Sequence, residues 1–154
     1  MNATLKTYKT QVASRYIPLA PEDLGRRMLE SEGYHVSRKL DGHLYFLCAD
    51  KEGVWLENHG GNVIEELPLL EEAKKALKGT SCILAGELYT VDGVERTYGF
   101  SVPSALEDAP DTLRFGGFDV VQLDGKPFSA PWKEVFAKVV SLLGTDGPVH
   151  AVSQ

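Results

Sequence analysis

Along this 154-residue chain, stretches of helical apolar spacing give way to short runs that alternate, and the switch points divide it into elements. Pro21-Glu22-Asp23-Leu24 opens a helical stretch that runs to Glu32 and stops at Gly33, with acids in its first turn to complement the helix dipole. The residues before it read as an irregular lead-in. From Tyr34 the runs become short, aromatic and β-branched: Tyr34 to Arg38, His43 to Ala49 and Val54 to Asn58, separated by Asp41-Gly42 and by Asp50-Lys51-Glu52-Gly53. This pattern predicts an antiparallel meander with tight hairpins.

Pro68 to Gly79 predicts a helix, with proline near its start, acids before bases and glycine at its end, and with Leu70, Ala73 and Leu77 turned toward a sheet. Ser81 to Thr90 reads as an apolar strand, followed by an Asp92-Gly93 hairpin and a strand near Arg96 to Phe100. Ser104 to Glu107 fits one helical turn, Leu113 to Leu123 a long strand ending at an Asp124-Gly125 turn, and Pro131 to Leu143 another helix. Val149 to Val152 resembles the start of one more strand. Strands and helices mix without a regular βαβ repeat, so the expected fold class is α+β with mainly antiparallel sheet, in one domain.

Composition narrows the class. With 43% hydrophobic and 25% charged residues the chain has the material for one core. No apolar run is long enough for a membrane span, and Met1 to Thr10 lacks the apolar region of a secretory signal, so the expected location is cytoplasmic, with no membrane partner. Cys48 and Cys82 lie in apolar stretches without metal-ligand spacing and are expected as buried thiols. A net charge of -6 argues against holding nucleic acid by bulk electrostatics, although Arg26-Arg27, Arg38-Lys39 and Lys74-Lys75 with Lys78 are local basic clusters. His35, His43, His59 and His150 have no ligand-like spacing and read as surface or turn residues, His43 beside Gly42 being the most suggestive. The loop Asn58-His59-Gly60-Gly61-Asn62 lacks the ending of a phosphate-binding loop and reads as a plain turn, and Arg96 as an exposed hairpin residue.

Three runs carry candidate chemistry. Ser37-Arg38-Lys39-Leu40-Asp41-Gly42 places a lysine two residues before an Asp-Gly pair, whereas Asp92-Gly93 and Asp124-Gly125 have no lysine at that offset. Turn statistics alone read it as a hairpin with Lys39 exposed on an edge. The functional reading is a nucleophile on an α-phosphate, with Gly42 allowing close backbone approach. A lysine normally carries its proton at neutral pH, so attack needs a deprotonated amine, which partial burial, a divalent metal or Arg38 would favour. In Ile83-Leu84-Ala85-Gly86-Glu87-Leu88-Tyr89, alternation puts Glu87 on one face with Ile83, Ala85 and Tyr89; it is a solvent-facing strand carboxylate or part of a site. In Phe115-Gly116-Gly117-Phe118-Asp119-Val120-Val121, two glycines in a strand imply close packing, either of a planar ligand on Phe118 or of a β-bulge beside a core phenylalanine.

Lys39-Leu40-Asp41-Gly42, Gly86-Glu87-Leu88 and Phe118-Asp119-Val120-Val121-Gln122-Leu123-Asp124-Gly125 occur in the order and approximate spacing of motifs I, III and IIIa of the covalent nucleotidyltransferases. The chain resembles the adenylation domain of ATP-dependent polynucleotide ligases, with the form of motif IIIa closer to DNA ligases than to capping enzymes. The resemblance implies the ATP-grasp-like nucleotidyltransferase fold, with residues 1–33 a lead-in and helix and residues 34–154 the N-terminal part of the adenylation domain. By that resemblance, Lys39 would be adenylated by ATP, Glu87 would contact the ribose or hold the catalytic magnesium, and Phe118 would stack on adenine. Arg38, Asp41 and Gly42 would complete the nucleotide-binding loop. The implied reaction passes AMP to a 5′-phosphate and joins it to a 3′-hydroxyl in nicked DNA.

The sequence departs from that pattern in three places. Leu44 stands where DNA ligases usually carry an arginine, as in some RNA ligases, and Ser37 stands where many DNA ligases have an acid. Motifs IV and V, which supply a metal-binding carboxylate and phosphate-binding lysines, and the OB-like domain that usually follows are not found before Gln154. The expectation is therefore a domain incomplete at its C-terminus, partnered by a segment carrying those motifs. An RNA ligase of the same superfamily and a non-catalytic nucleotide-binding remnant stand as alternatives.

Overall fold

The computed structural model describes residues 3–13, 19–29, 37–91 and 101–152. Among the described residues its frame is a seven-stranded sheet. His43–Ala49 (β1) pairs antiparallel with Val54–Asn58 (β2), which pairs with the short Val63–Ile64 (β3). On the other side β1 pairs antiparallel with Cys82–Thr90 (β4), β4 with Leu113–Leu123 (β5), and β5 with Lys126–Pro127 (β6). The α+β class is present, and of the expected meander the hairpin between β1 and β2 is present. Val149–Ala151 (β7) adds the one parallel pair among the described strands, lying against Phe115 to Gly117.

The continuous apolar run of β1 follows from its central place: a strand covered on both faces has no polar side. Tyr45, Leu47 and Ala49 join one core and Phe46 and Cys48 a second. The first core lies under three helices, Pro68–Ala76 (α3), Ser101–Asp108 (α4) and Trp132–Leu143 (α5), which we number after the two N-terminal helices, Ala3–Ala13 (α1) and Pro21–Leu29 (α2). Leu70, Ala73 and Leu77 are buried in it as their spacing predicts, and α5 contributes Val135, Val139 and Leu143 at successive turns.

Three expectations need correction. The lead-in is not irregular, because Ala3–Ala13 forms a helix whose Leu5, Tyr8 and Val12 pack on the second face of the sheet. Threonines between these positions mask the stripe, and it is the sheet contact rather than propensity that supports the helix. The single turn at Ser104 to Glu107 is the full helix α4, with Val102 and Ala105 buried. The strand expected over Tyr34 to Arg38 does not include Ser37 and Arg38, which lead without strand pairing into the Asp41-Gly42 bend, so that Asp-Gly pair is not a hairpin between ladder strands. Tyr34 to Val36, the end of the first predicted helix beyond Leu29, and the Asp92-Gly93 hairpin with its strand lie outside the described residues.

The Asp124-Gly125 turn is a hairpin. Asp124 and Gly125 have φ of 49° and 75°, the paired left-handed conformation that a two-residue connection of this twist requires. The ladder between β4 and β5 shifts register twice, leaving Phe118 and Val121 as extra residues on β5. The β-bulge expected in the glycine run is therefore present, and it turns Phe118 and Val121 onto the second core beside α1.

Candidate active site at the lysine loop

The loop from Ser37 to Gly42 approaches β4 from the side carrying Glu87. Gly42 N–H donates to Glu87 Oε1 at 3.0 Å across 45 residues of sequence. A Cβ on Gly42 would collide with the Leu88 carbonyl oxygen and lie 2.8 Å from Tyr89 Cβ. The contact is with backbone, which cannot step aside, so only glycine lets the loop come this close.

Glu87 is half-buried. Burial is the largest influence on its carboxyl and raises it above the ordinary carboxylate range, while the Gly42 N–H and the charges of Lys39, His43 and Lys9 pull in the opposite direction. Because the folded protein disfavours the ionised form, stability falls as pH rises from the ordinary glutamate range through the raised value. Glu87→Gln keeps an acceptor for Gly42 without that charge, so its stability relative to wild type should increase over the same rise in pH. Glu87→Ala removes the charge too but leaves the Gly42 N–H without its partner, so it should be about 1 kcal/mol less stable than Glu87→Gln at all pH values. Urea melts of both variants at two pH values test this, and a Gln variant that loses ground as pH rises would contradict the burial of the charge.

The structure brings Lys39, Gly42 and Glu87 together and holds Phe118 nearby. Lys39, Arg38 and Asp41 are exposed, so partial burial does not act on the lysine. Arg38 sits close enough to Tyr89 for its charge to favour the ionised phenol, although burial dominates and raises the Tyr89 value. Glu87 pairs across the ladder with Gly116, two residues before Phe118. Phe118 is half-buried against the second core, where Asp119 beside it accepts a 2.6 Å hydrogen bond from Tyr8 of α1. Tyr8 also meets Phe46 edge-on at 5.3 Å. The face that carries Glu87 and Phe118 is thus walled on one side by α1.

Sequence reasoning missed this wall, and it also misjudged His150. That residue is half-buried rather than a free surface or turn residue: its Nε2 lies 3.1 Å from the Tyr89 hydroxyl and its Nδ1 2.9 Å from the Gly147 carbonyl. Its place in an alternating strand was the available signal. Cys48 and Cys82 are buried, and burial pushes their thiols up to about 12 and about 11, as inert core cysteines should be.

Among the described residues no group of three or more His, Cys, Asp or Glu side chains could hold a metal ion. Glu87 and the exposed Asp41 are the carboxylates at the lysine loop, a sparse set that would suit a magnesium ion held chiefly by phosphates and water. No helix among the described residues is long and apolar enough to cross a membrane. Two surface hollows, one along Trp55, Val63 and Lys74 and one at Cys48, Asp50 and Gln122, do not include Lys39 or Glu87 in their linings.

No family model matches the chain, and no curated protein matches it. Solved structures do. The ligase domain of LigD from M. tuberculosis superposes with a TM-score of 0.53 at 21% identity, over 75% of this chain and 38% of that one. A mycobacterial DNA ligase D complexed with ATP and MES superposes with a TM-score of 0.52 at 22% identity, over 74% of this chain and 38% of that one. The fold resembles that of these ligase domains, and the chain spans little more than a third of the length of these neighbours.

Proposed function

We propose that this chain is the nucleotide-binding part of an ATP-dependent polynucleotide ligase in which Lys39 is the covalent nucleophile. The observation that carries the reading is the hydrogen bond from Gly42 to Glu87, which ties the loop bearing the lysine to a half-buried carboxylate on a ligase-type fold. The neutral Lys39 amine attacks the α-phosphorus of ATP, a P–N bond forms, the bond to the β-phosphate oxygen breaks, and pyrophosphate leaves with the electron pair. One further proton leaves the nitrogen, giving a lysyl-AMP phosphoramidate. Glu87 holds the loop and faces the ribose, Phe118 offers its ring to adenine, and Arg38, Asp41 and Gly42 shape the phosphate side. Glu87 is the carboxylate that would touch a magnesium ion entering with ATP, which would supply neutralisation of the phosphate charge. AMP then passes to a 5′-phosphate and is displaced by a 3′-hydroxyl.

Nicked DNA is the proposed substrate, on the form of Phe118 to Gly125 and on the mycobacterial DNA ligase neighbours. An RNA end is the second reading, and one observation favours it: Leu44, where DNA ligases usually carry arginine, packs against the second core and presents no cation. Incubation with α-labelled ATP and magnesium should give an acid-labile AMP adduct that peptide mapping assigns to Lys39. Transfer to a nicked DNA duplex rather than to a nicked RNA duplex would support the first reading, and the reverse the second. ATP binding without any adduct would instead mark a non-catalytic nucleotide-binding module.

A further inference from the structure

Gly116 has no side chain on the face of β5 that meets the lysine loop, and Leu40 Cδ1 occupies the space its Cβ would take. A Cβ there would also lie 3.5 Å from Val152 Cγ2 and 3.7 Å from His150 Nε2. Gly116 pairs with Glu87 on one side and with His150 of β7 on the other, so this socket lies in line with the candidate carboxylate. The His150 wall is stiff. A carbonyl only accepts, so in the neutral ring Nδ1 carries the proton toward Gly147 O and the Tyr89 hydroxyl donates to Nε2. The two rings also meet edge-on at 6.0 Å.

Lys39 sits between two anchors. Leu40 follows it immediately, and Gly42, three residues on, is clamped to Glu87. We propose that the socket of Gly116, His150 and Val152, filled by Leu40, positions Lys39 for attack, making these residues positioning residues for the covalent step. The inference rests on Lys39 being the nucleophile. It also assigns β7 a role: the strand completes the seat of a loop more than a hundred residues earlier in the chain.

A substitution cycle tests the socket. The added methyl of Gly116→Ala meets the far end of a flexible side chain, so it should expel Leu40 and leave the sheet intact. We expect adduct formation to slow about 10²-fold, the cost of misplacing a reacting group by about 1 Å, with ATP affinity and melting temperature close to wild type. Leu40→Ala alone should slow it less. The double variant, which removes the isopropyl group of Leu40 and adds a methyl on the sheet, should recover at least about ten-fold over Gly116→Ala, because contacting residues couple. Hydrogen exchange of the Gly42 amide gives a readout that needs no nucleotide: faster in Gly116→Ala, restored in the double variant.

A wild-type protein that forms no adduct would overturn the ligase reading, and Gly42 exchange would then decide the socket by itself. Unchanged exchange and unchanged adduct rate in Gly116→Ala, or no recovery in the double variant, would overturn the socket while leaving the nucleophile in place. If Gly116→Ala does not fold, Leu40→Ala decides, and exchange and rate equal to wild type would overturn the proposal.

Discussion

Replacing Lys39 with alanine should abolish the covalent AMP adduct and leave the fold and most nucleotide affinity in place. The side chain is exposed and belongs to neither core, so its loss removes almost no packing. The adduct, by contrast, requires the nitrogen that bonds phosphorus, and no neighbouring side chain can supply it from the same place. Lys39→Arg should also fail, because a guanidinium stays protonated and is no nucleophile at any workable pH. The measurement is labelled-ATP transfer followed by denaturing electrophoresis, alongside thermal melts of each variant. Persistence of the adduct in Lys39→Ala would move the nucleophile elsewhere, and a collapse of the melting temperature would mean that the lysine is structural.

Gly86→Ala should produce the largest loss of stability among the glycine substitutions in the sheet. A Cβ at this position would run into the ring of Phe115 and lie 2.6 Å from the Gly116 carbonyl oxygen. Phe115 is fully buried in the first core, and the oxygen belongs to the neighbouring strand, so neither can yield without opening the β4–β5 ladder. Overfilling a packed core costs about 1 to 3 kcal/mol, and a backbone collision puts this case at about 3 or above. Gly25→Ala is the control: nothing lies within 4 Å of a Cβ there, and in the exposed helix α2 it should gain up to about 1 kcal/mol. Denaturant midpoints of the two proteins measure the contrast. Equal stabilities would mean that the close approach of β4 and β5 is wrong.

Much of the architecture was legible from local pattern. The runs that became β1, β2, β4 and β5 are apolar and bounded by turn residues, and the helices α3 and α5 carry a helical period with clear ends, so the elements could be placed before any contact was known. The reading failed where local signal was thin. In α1 the stripe of Leu5, Tyr8 and Val12 is interrupted by threonines and gains its support only from the sheet. At Asp41-Gly42 the pair that usually marks a hairpin serves a different end, because Gly42 is used for close approach to β4 and for its bond to Glu87. A turn dipeptide has the same sequence in both uses.

The candidate site divides in the same way. Residue types and spacing singled out Lys39, Glu87 and Phe118, since a lysine beside a glycine turn, a carboxylate in an apolar strand and two adjacent glycines are each anomalous on local grounds. Alternation along β4 also placed Glu87 on the face with Ala85, away from the core of Leu84 and Leu88. Register and packing between distant segments decided the rest. Gly116 opens toward Leu40 on one face of β5, while Gly117 opens toward Val139 and Leu143 of α5 on the other. His150 closes the socket, and Tyr8 pins α1 to Asp119 from 111 residues away. Periodicity reports only which face of an element turns inward. Which residues meet there depends on strand order, bulges and helix docking, which are settled by the whole chain folding at once and leave no mark in any local stretch of sequence.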